Sequence, residues 1–147
     1  FSFLVIGTLG TLFLGYRAHV APGNAVAGGA LMARALALYE WARHTILGRR
    51  FHIAWGGDVP DAVCADGPYA FVRHPVHASY LLAFGAMLGA LPSSWTLAIF
   101  PFNAGLFAHA ARDELRSLAG SVLASDYARY KQRTGMFFPR FGPKPAN

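Results

Sequence analysis

Four long apolar segments constrain the fold of this chain more than any other feature. They cover residues 1–16, 25–47, 76–91 and 95–111. Charged residues make up 14% of the sequence, whereas soluble domains usually carry about 25%. A helix that crosses a bilayer needs about 20 apolar residues, and each segment approaches that length. The sequence therefore predicts an all-α, polytopic integral membrane protein with about four transmembrane helices, the first of them truncated because the chain begins at Phe1.

The distribution of positive charge predicts an orientation in that membrane. Cations are concentrated between residues 43 and 75 and after residue 111, whereas the joins at 17–24 and 92–94 contain only Arg17. By the positive-inside rule, the loop 48–75 and the C-terminal tail face the cytoplasm. The many Ala, Gly and Arg residues are typical of bacterial proteins, so we expect the bacterial inner membrane. The cations do not form one dense patch, and we expect no nucleic-acid partner.

Two short polar clusters flank the third and fourth apolar segments. Arg73-His74-Pro75 precedes the third segment, and Arg112-Asp113-Glu114 closes the fourth. Pro75 suits the first turn of a helix, which puts His74 at the helix N-terminus, where anions bind favourably. The join at residues 92–94 permits only a tight helical hairpin, so both clusters are predicted to lie at the same end of it, on the cytoplasmic side.

The C-terminal tail differs in kind from the apolar segments. Residues 126–133 are polar, and Tyr127 and Tyr130 are spaced so that they share one face of a helix. The sequence therefore predicts a cytoplasmic C-terminal helix. By itself this pattern is typical of a surface helix and indicates no site.

Taken together, these residues resemble a known family. Gly67-Pro68-Tyr69, Arg73-His74-Pro75, Asp113-Glu114, the Tyr127 and Tyr130 pair and Pro139 occur in the order of the C-terminal signature of the isoprenylcysteine carboxyl methyltransferase family. The phospholipid N-methyltransferases are among the wider relatives of that family. The resemblance covers about residues 43 to 141. It implies a single membrane methyltransferase domain over residues 1–147, with its cofactor-binding half at 67–141.

The resemblance also implies a cofactor, a class of acceptor and a set of site residues. The methyl donor is S-adenosylmethionine, and the acceptor is a lipid-like molecule or a small carboxylate or amine that enters from the lipid bilayer. Arg73 and Glu114 are the expected catalytic residues, while Ser79 and Arg34 are expected to meet the substrate and no metal is expected. The expected cofactor-binding residues are Tyr69, His74, Pro75, Asp113, Glu114, Tyr127 and Tyr130.

The chain departs from the family pattern at several positions. His77 stands where the family usually has Tyr, Ser79 where it usually has Gly, and Met136 where a basic residue is common. Asp113 replaces the first residue of a Glu pair. The cofactor pattern is better preserved than the parts that set the substrate, so the residues favour methyl transfer without fixing what is methylated.

Two alternative functions remain open at this point. One is a non-catalytic membrane protein on the same scaffold. The other is a haem or redox membrane protein with His19, His44 or His109 as axial ligands. Arg73 also fits a membrane anchor, and the pairs His74 with His77 and His109 with Asp113 have the helical spacing of metal ligands. Cys64, the only cysteine, permits no internal disulfide and is expected to be inert.

Overall fold

The computed structural model describes residues 20–47, 63–119 and 122–140, and these residues are mostly helical. The helices are α1 (Pro22–Ile46), α2 (Pro75–Ala90), α3 (Ser94–Ala119) and α4 (Ala124–Arg133), and a short 3₁₀ helix covers Gly67–Ala70. The first predicted segment and most of the loop between α1 and the 3₁₀ helix lie outside the described residues. The predicted helices over the second, third and fourth segments and the tail agree with α1 to α4.

The predicted membrane topology is wrong for the described part of the chain. No helix there is both long enough and apolar enough to cross a bilayer. The strongly apolar helix α2 has 16 residues, which gives a length of about 24 Å, whereas the hydrocarbon core of a bilayer is about 30 Å thick. Helices α1 and α3 have 25 and 26 residues, but charged side chains interrupt their apolar character.

The predicted localisation is corrected for the same reason. An integral protein of the bacterial inner membrane, with its site on the cytoplasmic side, requires spanning helices, and the described residues contain none. The third predicted segment, residues 76–91, has 16 residues, whereas a span needs about 20 with a range of roughly 17–25. In the structure, helix α2 over this segment begins at Pro75 and ends at Ala90.

Local chemistry explains where α2 and α3 begin. Helix α2 starts at Pro75, as predicted, and the carbonyl of His74 accepts the first helical bond from the amide of Ala78 at 2.9 Å. Helix α3 is preceded by a reciprocal cap. The amide of Thr96 donates to the hydroxyl of Ser93 at 3.2 Å, and the amide of Ser93 donates to the hydroxyl of Thr96 at 2.9 Å. This cap fixes the short turn between the two helices.

The chain divides into two compact units. We call residues 20–37 and 79–106 the apolar unit, and the described residues of 38–78 and 107–140 the polar unit. The predicted cofactor-binding half, 67–141, therefore falls in both units, because residues 79–106 belong to the apolar unit.

The apolar unit is packed through small residues. A methyl group added at Gly28 of α1 would lie 2.7 Å from the Cβ atom of Ala90 and 3.2 Å from the carbonyl oxygen of Ala86, so the two helices approach closely there. A methyl group at Gly85 would lie 3.9 Å from the Phe100 ring. Gly85 and Phe100 are about equally far along the chain from the turn between α2 and α3, as expected for an antiparallel helical hairpin.

The polar unit is organised around a contact between two loops. The segment at 71–74, just before α2, runs parallel to the segment at 135–136, just after α4, with an isolated bridge between Val72 and Gly135. The amide of Arg73 donates to the carbonyl of Gly135 at 2.8 Å, and the amide of His74 donates to the carbonyl of Met136 at 3.1 Å. These bonds bring the loop that carries Arg73 and His74 to the end of α4.

Candidate functional site

His74 and Glu114 form the first part of the candidate site. The Nδ1 atom of His74 lies 3.5 Å from a carboxyl oxygen of Glu114, and the His74 side chain is 6% exposed against 34% for Glu114. Burial lowers the pKa of His74 to about 3, helped by the nearby His77 and the Arg73 cation. Burial also raises the pKa of Glu114. Both shifts disfavour charge, so His74 is a neutral imidazole at neutral pH.

Arg73 holds the C-terminal end of α4. Its Nη1 atom donates to the carbonyl of Thr134 at 2.6 Å and to the carbonyl of Lys131 at 3.1 Å. The last carbonyls of a helix have no partner within the helix, and they form the negative end of the helix dipole. A guanidinium at this end donates hydrogen bonds to such carbonyls and places a positive charge next to the negative end of the dipole. Arg73, predicted to be catalytic, therefore uses one edge of its side chain to position the helix that carries Tyr127 and Tyr130.

Three tyrosines of the polar unit have side-chain pKa values that are raised above the ordinary value for tyrosine. The hydroxyl of Tyr130 donates to the carbonyl of Tyr69 at 2.7 Å, which joins α4 to the 3₁₀ helix. The ring centroids of Tyr127 and Tyr130 are 5.9 Å apart. Burial raises the pKa of Tyr69 and that of Tyr127 to about 12, and it also raises the pKa of Tyr130. All three are neutral phenols at any ordinary pH.

A cluster of rings surrounds His74, which is buried, and His77, which is half-buried. His77 stacks on Phe107 with ring centroids 5.0 Å apart, and Phe137 lies 6.0 Å from the His74 ring and 6.4 Å from the His77 ring. Burial lowers the pKa of His77 as well. The sequence analysis considered His77 as a departure from the family pattern and, with His74, as a pair at metal-ligand spacing. It missed Phe107 and Phe137 because no local spacing links them to the histidines.

Two glycines shape the loops of the site. Gly67 has a φ of 53°, and a methyl group there would lie 2.5 Å from the hydroxyl oxygen of Thr45. A methyl group on Gly135 would collide with the carbonyl oxygen of Phe138. Gly67 belongs to the predicted Gly-Pro-Tyr motif. The sequence signal for Gly135 was its place directly after a helix end, where glycine is common.

Three buried polar atoms in this unit have no hydrogen-bond partner among the described residues: Nε of Arg73, Nε2 of His74 and the hydroxyl of Tyr127. Buried polar groups in folded proteins are nearly always hydrogen-bonded, and leaving one unpaired costs about 1–3 kcal/mol. All three residues were predicted site residues. Their unpaired atoms are therefore the clearest sign of a ligand site in the described part of the chain.

The remaining predicted residues lie elsewhere. Asp113 is exposed and pairs with Arg116 at 3.0 Å and His109 at 2.8 Å along the surface of α3, so it does not join Glu114 at His74. Pro75 is fully buried at the start of α2. Ser79 is 1% exposed and Arg34 is exposed, and both belong to the apolar unit rather than to the polar unit that holds the other site residues.

The residues of the alternative readings are also placed. His44 and His109, considered as haem ligands, have side chains that are 66% and 73% exposed, and His19 lies outside the described residues. Within those residues, no group of three or more His, Cys, Asp or Glu side chains could hold a metal ion. Cys64 is buried and belongs to no disulfide.

Comparison of the chain with protein-family models, with curated proteins and with solved structures found no match.

Proposed function

We propose that this protein is an S-adenosylmethionine-dependent methyltransferase that acts on a carboxylate or an amine. The proposal rests on the motif order along the sequence and on one structural observation. Tyr69, Arg73, His74, Glu114, Tyr127 and Tyr130, separated by up to 61 residues in the chain, are gathered in the polar unit by the contacts between the loop 71–74, α3 and α4.

The residues of the polar unit fit the chemical groups of that cofactor. S-adenosylmethionine carries an ammonium, a carboxylate, a sulfonium and an adenine. Glu114 offers a carboxyl group to the ammonium, while the rings of Tyr69 and Tyr130 offer faces to the adenine or to the sulfonium, which is a cation–π partner. The unpaired atoms of Arg73, His74 and Tyr127 leave hydrogen-bonding capacity for a ligand.

The chain's own residues have definable tasks in such a reaction. When bound, the cofactor supplies a methyl group on a positively charged sulfur, from which a nucleophile displaces it in line. A carboxylate acceptor needs no base. With Nδ1 facing Glu114 at 3.5 Å, neutral His74 presents Nε2 as a hydrogen-bond acceptor. The buried ring of Phe107 and the half-buried ring of Phe137 lie beside the histidines and reduce the access of water from this side of the site.

Binding of S-adenosylhomocysteine, measured by calorimetry, tests the proposal. We expect Glu114→Gln to weaken binding about tenfold, because a charge-assisted hydrogen bond to the ammonium contributes about 1.5–3 kcal/mol. Glu40→Gln is the matched control. Glu40 belongs to the same unit but is exposed and paired with Arg43 at 2.7 Å, so binding should not change.

The same titration separates two neighbouring carboxylates. The sequence assigned both Asp113 and Glu114 to the cofactor, whereas the structure pairs Asp113 with Arg116 and His109. We therefore expect Asp113→Asn to bind as the unmodified protein does. If the protein binds no S-adenosylhomocysteine, or if Glu114→Gln binds it as tightly as Glu40→Gln does, the proposed function is wrong. A methyl-transfer screen over lipid acids, small acids and amines then identifies the acceptor.

A further inference from the structure

Among the described residues, the guanidinium of Arg73 makes its hydrogen bonds through Nη1. Nη1 is occupied by the carbonyls of Thr134 and Lys131, whereas Nε is buried and has no partner among the described residues. A guanidinium is a rigid, planar fork whose N–H groups match the two oxygens of a carboxylate or phosphate. The contacts to α4 hold this fork in place, so its Nε edge is preorganised for an oxyanion.

Tyr127 supplies a second buried donor in the same unit. The side chain is 8% exposed, and its hydroxyl has no partner in the described part of the chain. Tyr127 lies on α4 one turn before Lys131, whose carbonyl Arg73 binds. Both donors are therefore connected to α4, Tyr127 as a residue of the helix and Arg73 through carbonyls at its C-terminal end. In agreement with this placement, the Arg73 cation lowers the pKa of Tyr127 against the stronger upward effect of burial.

Hydrogen bonding explains why these groups need an anion. An unpaired buried N–H of a charged group costs more than an unpaired neutral one, and a phenol that stays protonated can donate. The Arg73 guanidinium is a cation, and its hydrogen bonds to the described residues go to backbone carbonyls rather than to an acidic side chain. The N-terminus of α2, two residues after Arg73, adds a favourable field for negative charge.

We propose that the Nε edge of Arg73 and the hydroxyl of Tyr127 form an oxyanion subsite that takes the carboxylate of a bound ligand. Which ligand carries it rests on the proposed function: the carboxylate belongs either to S-adenosylmethionine or to the methyl acceptor. The subsite itself follows from the two unpaired donors. Because Arg73 binds α4 through its other edge, occupancy of the subsite also immobilises Arg73 and stabilises the last turn of α4.

Two variants and one analogue test the subsite. The variants are Arg73→Lys, which keeps the charge and removes the fork, and Tyr127→Phe, which removes one hydroxyl. Arg116→Lys on the exposed surface of α3 is the matched control. The ligands are S-adenosylhomocysteine and its decarboxylated analogue. If the cofactor supplies the carboxylate, Arg73→Lys weakens binding of S-adenosylhomocysteine about tenfold and Tyr127→Phe weakens it less. Binding of the decarboxylated analogue is unchanged in both variants.

Limited proteolysis with trypsin gives a readout that needs no cofactor. Helix α4 contains Arg129, Lys131 and Arg133, which are trypsin sites. Acetate, compared with chloride at equal ionic strength, should slow cleavage at these sites in the unmodified protein and in Arg116→Lys, and it should not do so in Arg73→Lys. If the acceptor supplies the carboxylate, acetate protection follows this pattern while the two nucleoside ligands bind equally well to the unmodified protein and to both variants.

The results that overturn the subsite differ from those that overturn the proposed function. Absence of S-adenosylhomocysteine binding, together with acetate protection that Arg73→Lys abolishes, refutes the methyltransferase and retains the subsite. Equal losses of affinity for the two nucleoside ligands in Arg73→Lys mean that Arg73 only supports α4, which refutes the subsite. Acetate that protects no better than chloride, combined with ligand binding that neither variant alters, refutes it as well.

Discussion

The two units of this chain treat their polar groups in opposite ways. In the apolar unit, Arg34 is the only charged residue among those the structure describes. Two of its buried polar side chains are bonded to the backbone nearby: the hydroxyl of Thr96 donates to the carbonyl of Leu91 at 2.7 Å, and the amide of Asn103 donates to the carbonyl of Ile99 at 2.8 Å. In the polar unit, three buried polar atoms lack a partner among the described residues.

Because of this difference, we expect the two units to respond to different kinds of change. Helices α1, α2 and α3 each contribute residues to both units, so the change occurs along continuous helices rather than between separate segments. Among the described residues of the apolar unit, no buried side-chain polar atom lacks a hydrogen-bond partner, which is typical of a region that serves the stability of the fold. Unsatisfied groups reduce stability and persist where function requires them. The polar unit should therefore respond to pH and ligands, and the apolar unit to changes in packing.

Acidification should produce the largest effect, and the effect should be confined to the polar unit. The pKa of His74 is about 3 in the folded protein and about 6.5 in an unfolded chain. Between these values the unfolded state binds a proton that the folded state does not, so the free energy of unfolding falls as pH falls from about 6.5 towards 3, by up to about 1.4 kcal/mol per pH unit. His77, whose pKa is also lowered, acts in the same direction.

Denaturant titrations at several pH values would measure this slope. His74→Gln should flatten it, with His77 providing the part that remains. Glu114 contributes to the slope with the opposite sign. Because its pKa is raised from 4.5, the folded state binds a proton more readily than the unfolded chain does above about pH 4.5, so this contribution to the free energy of unfolding falls as pH rises. His44→Gln is the control, since that side chain is 66% exposed. A slope that His74→Gln leaves unchanged would show that His74 is not buried as a neutral ring.

Packing in the apolar unit gives the next largest effect, and two adjacent glycines make a matched pair. A methyl group on Gly28 would meet Ala90 at 2.7 Å, whereas one on Gly29 has nothing within 4 Å. Gly28→Ala should lower the free energy of unfolding by about 1–3 kcal/mol through overpacking. Gly29→Ala should raise it by up to about 1 kcal/mol, because alanine is the better helix former.

The same denaturant measurement checks both glycine variants, and neither should alter the pH slope that His74 produces. If Gly28→Ala were as stable as Gly29→Ala, the close approach of α1 and α2 at Ala86 and Ala90 would be incorrect. Loss of the pH slope in Gly28→Ala would mean that the two units do not respond independently.

Much of the helical architecture could be predicted from the sequence, because it depends on local patterns. Apolar runs, the Pro75 start signal and the short turn before α3 all act within a few residues. The membrane assignment failed because it depended on a threshold of length and apolarity, and α2, with 16 residues, falls below it. The apolar residue types and their order along the chain favoured a membrane protein, whereas α2 is too short to cross a bilayer.

The site could be predicted only as a set of residues, not as an arrangement. The sequence predicted His74, Glu114 and the tyrosines as one set, and the structure places them all in the polar unit. The sequence could not distinguish the environment of Asp113 from that of Glu114. Adjacent helical residues point about 100° apart, so one of them meets His74 while the other meets Arg116. The contacts of Arg73 with the carbonyls of Lys131 and Thr134 join residues about 60 positions apart through backbone atoms, and no side-chain pattern reports such a contact.

The smallest predicted effect compares two tyrosines one turn apart on α4. The hydroxyl of Tyr130 donates to the carbonyl of Tyr69 at 2.7 Å, whereas the buried hydroxyl of Tyr127 has no partner among the described residues. In the ligand-free protein, Tyr130→Phe should lower the free energy of unfolding by about 1 kcal/mol, the usual net value of a hydrogen bond. Tyr127→Phe should leave it unchanged or raise it slightly, because it removes a buried polar group that has no partner among the described residues.

Ligand should change this comparison. With saturating S-adenosylhomocysteine, the unmodified protein gains more stability than Tyr127→Phe does, since linkage adds RT ln(1 + [L]/Kd) and the variant binds more weakly. Thermal unfolding with and without ligand measures both terms. A Tyr127→Phe variant that is as unstable as Tyr130→Phe without ligand would show that the Tyr127 hydroxyl already has a partner, and it would remove the contrast between the two units at this position.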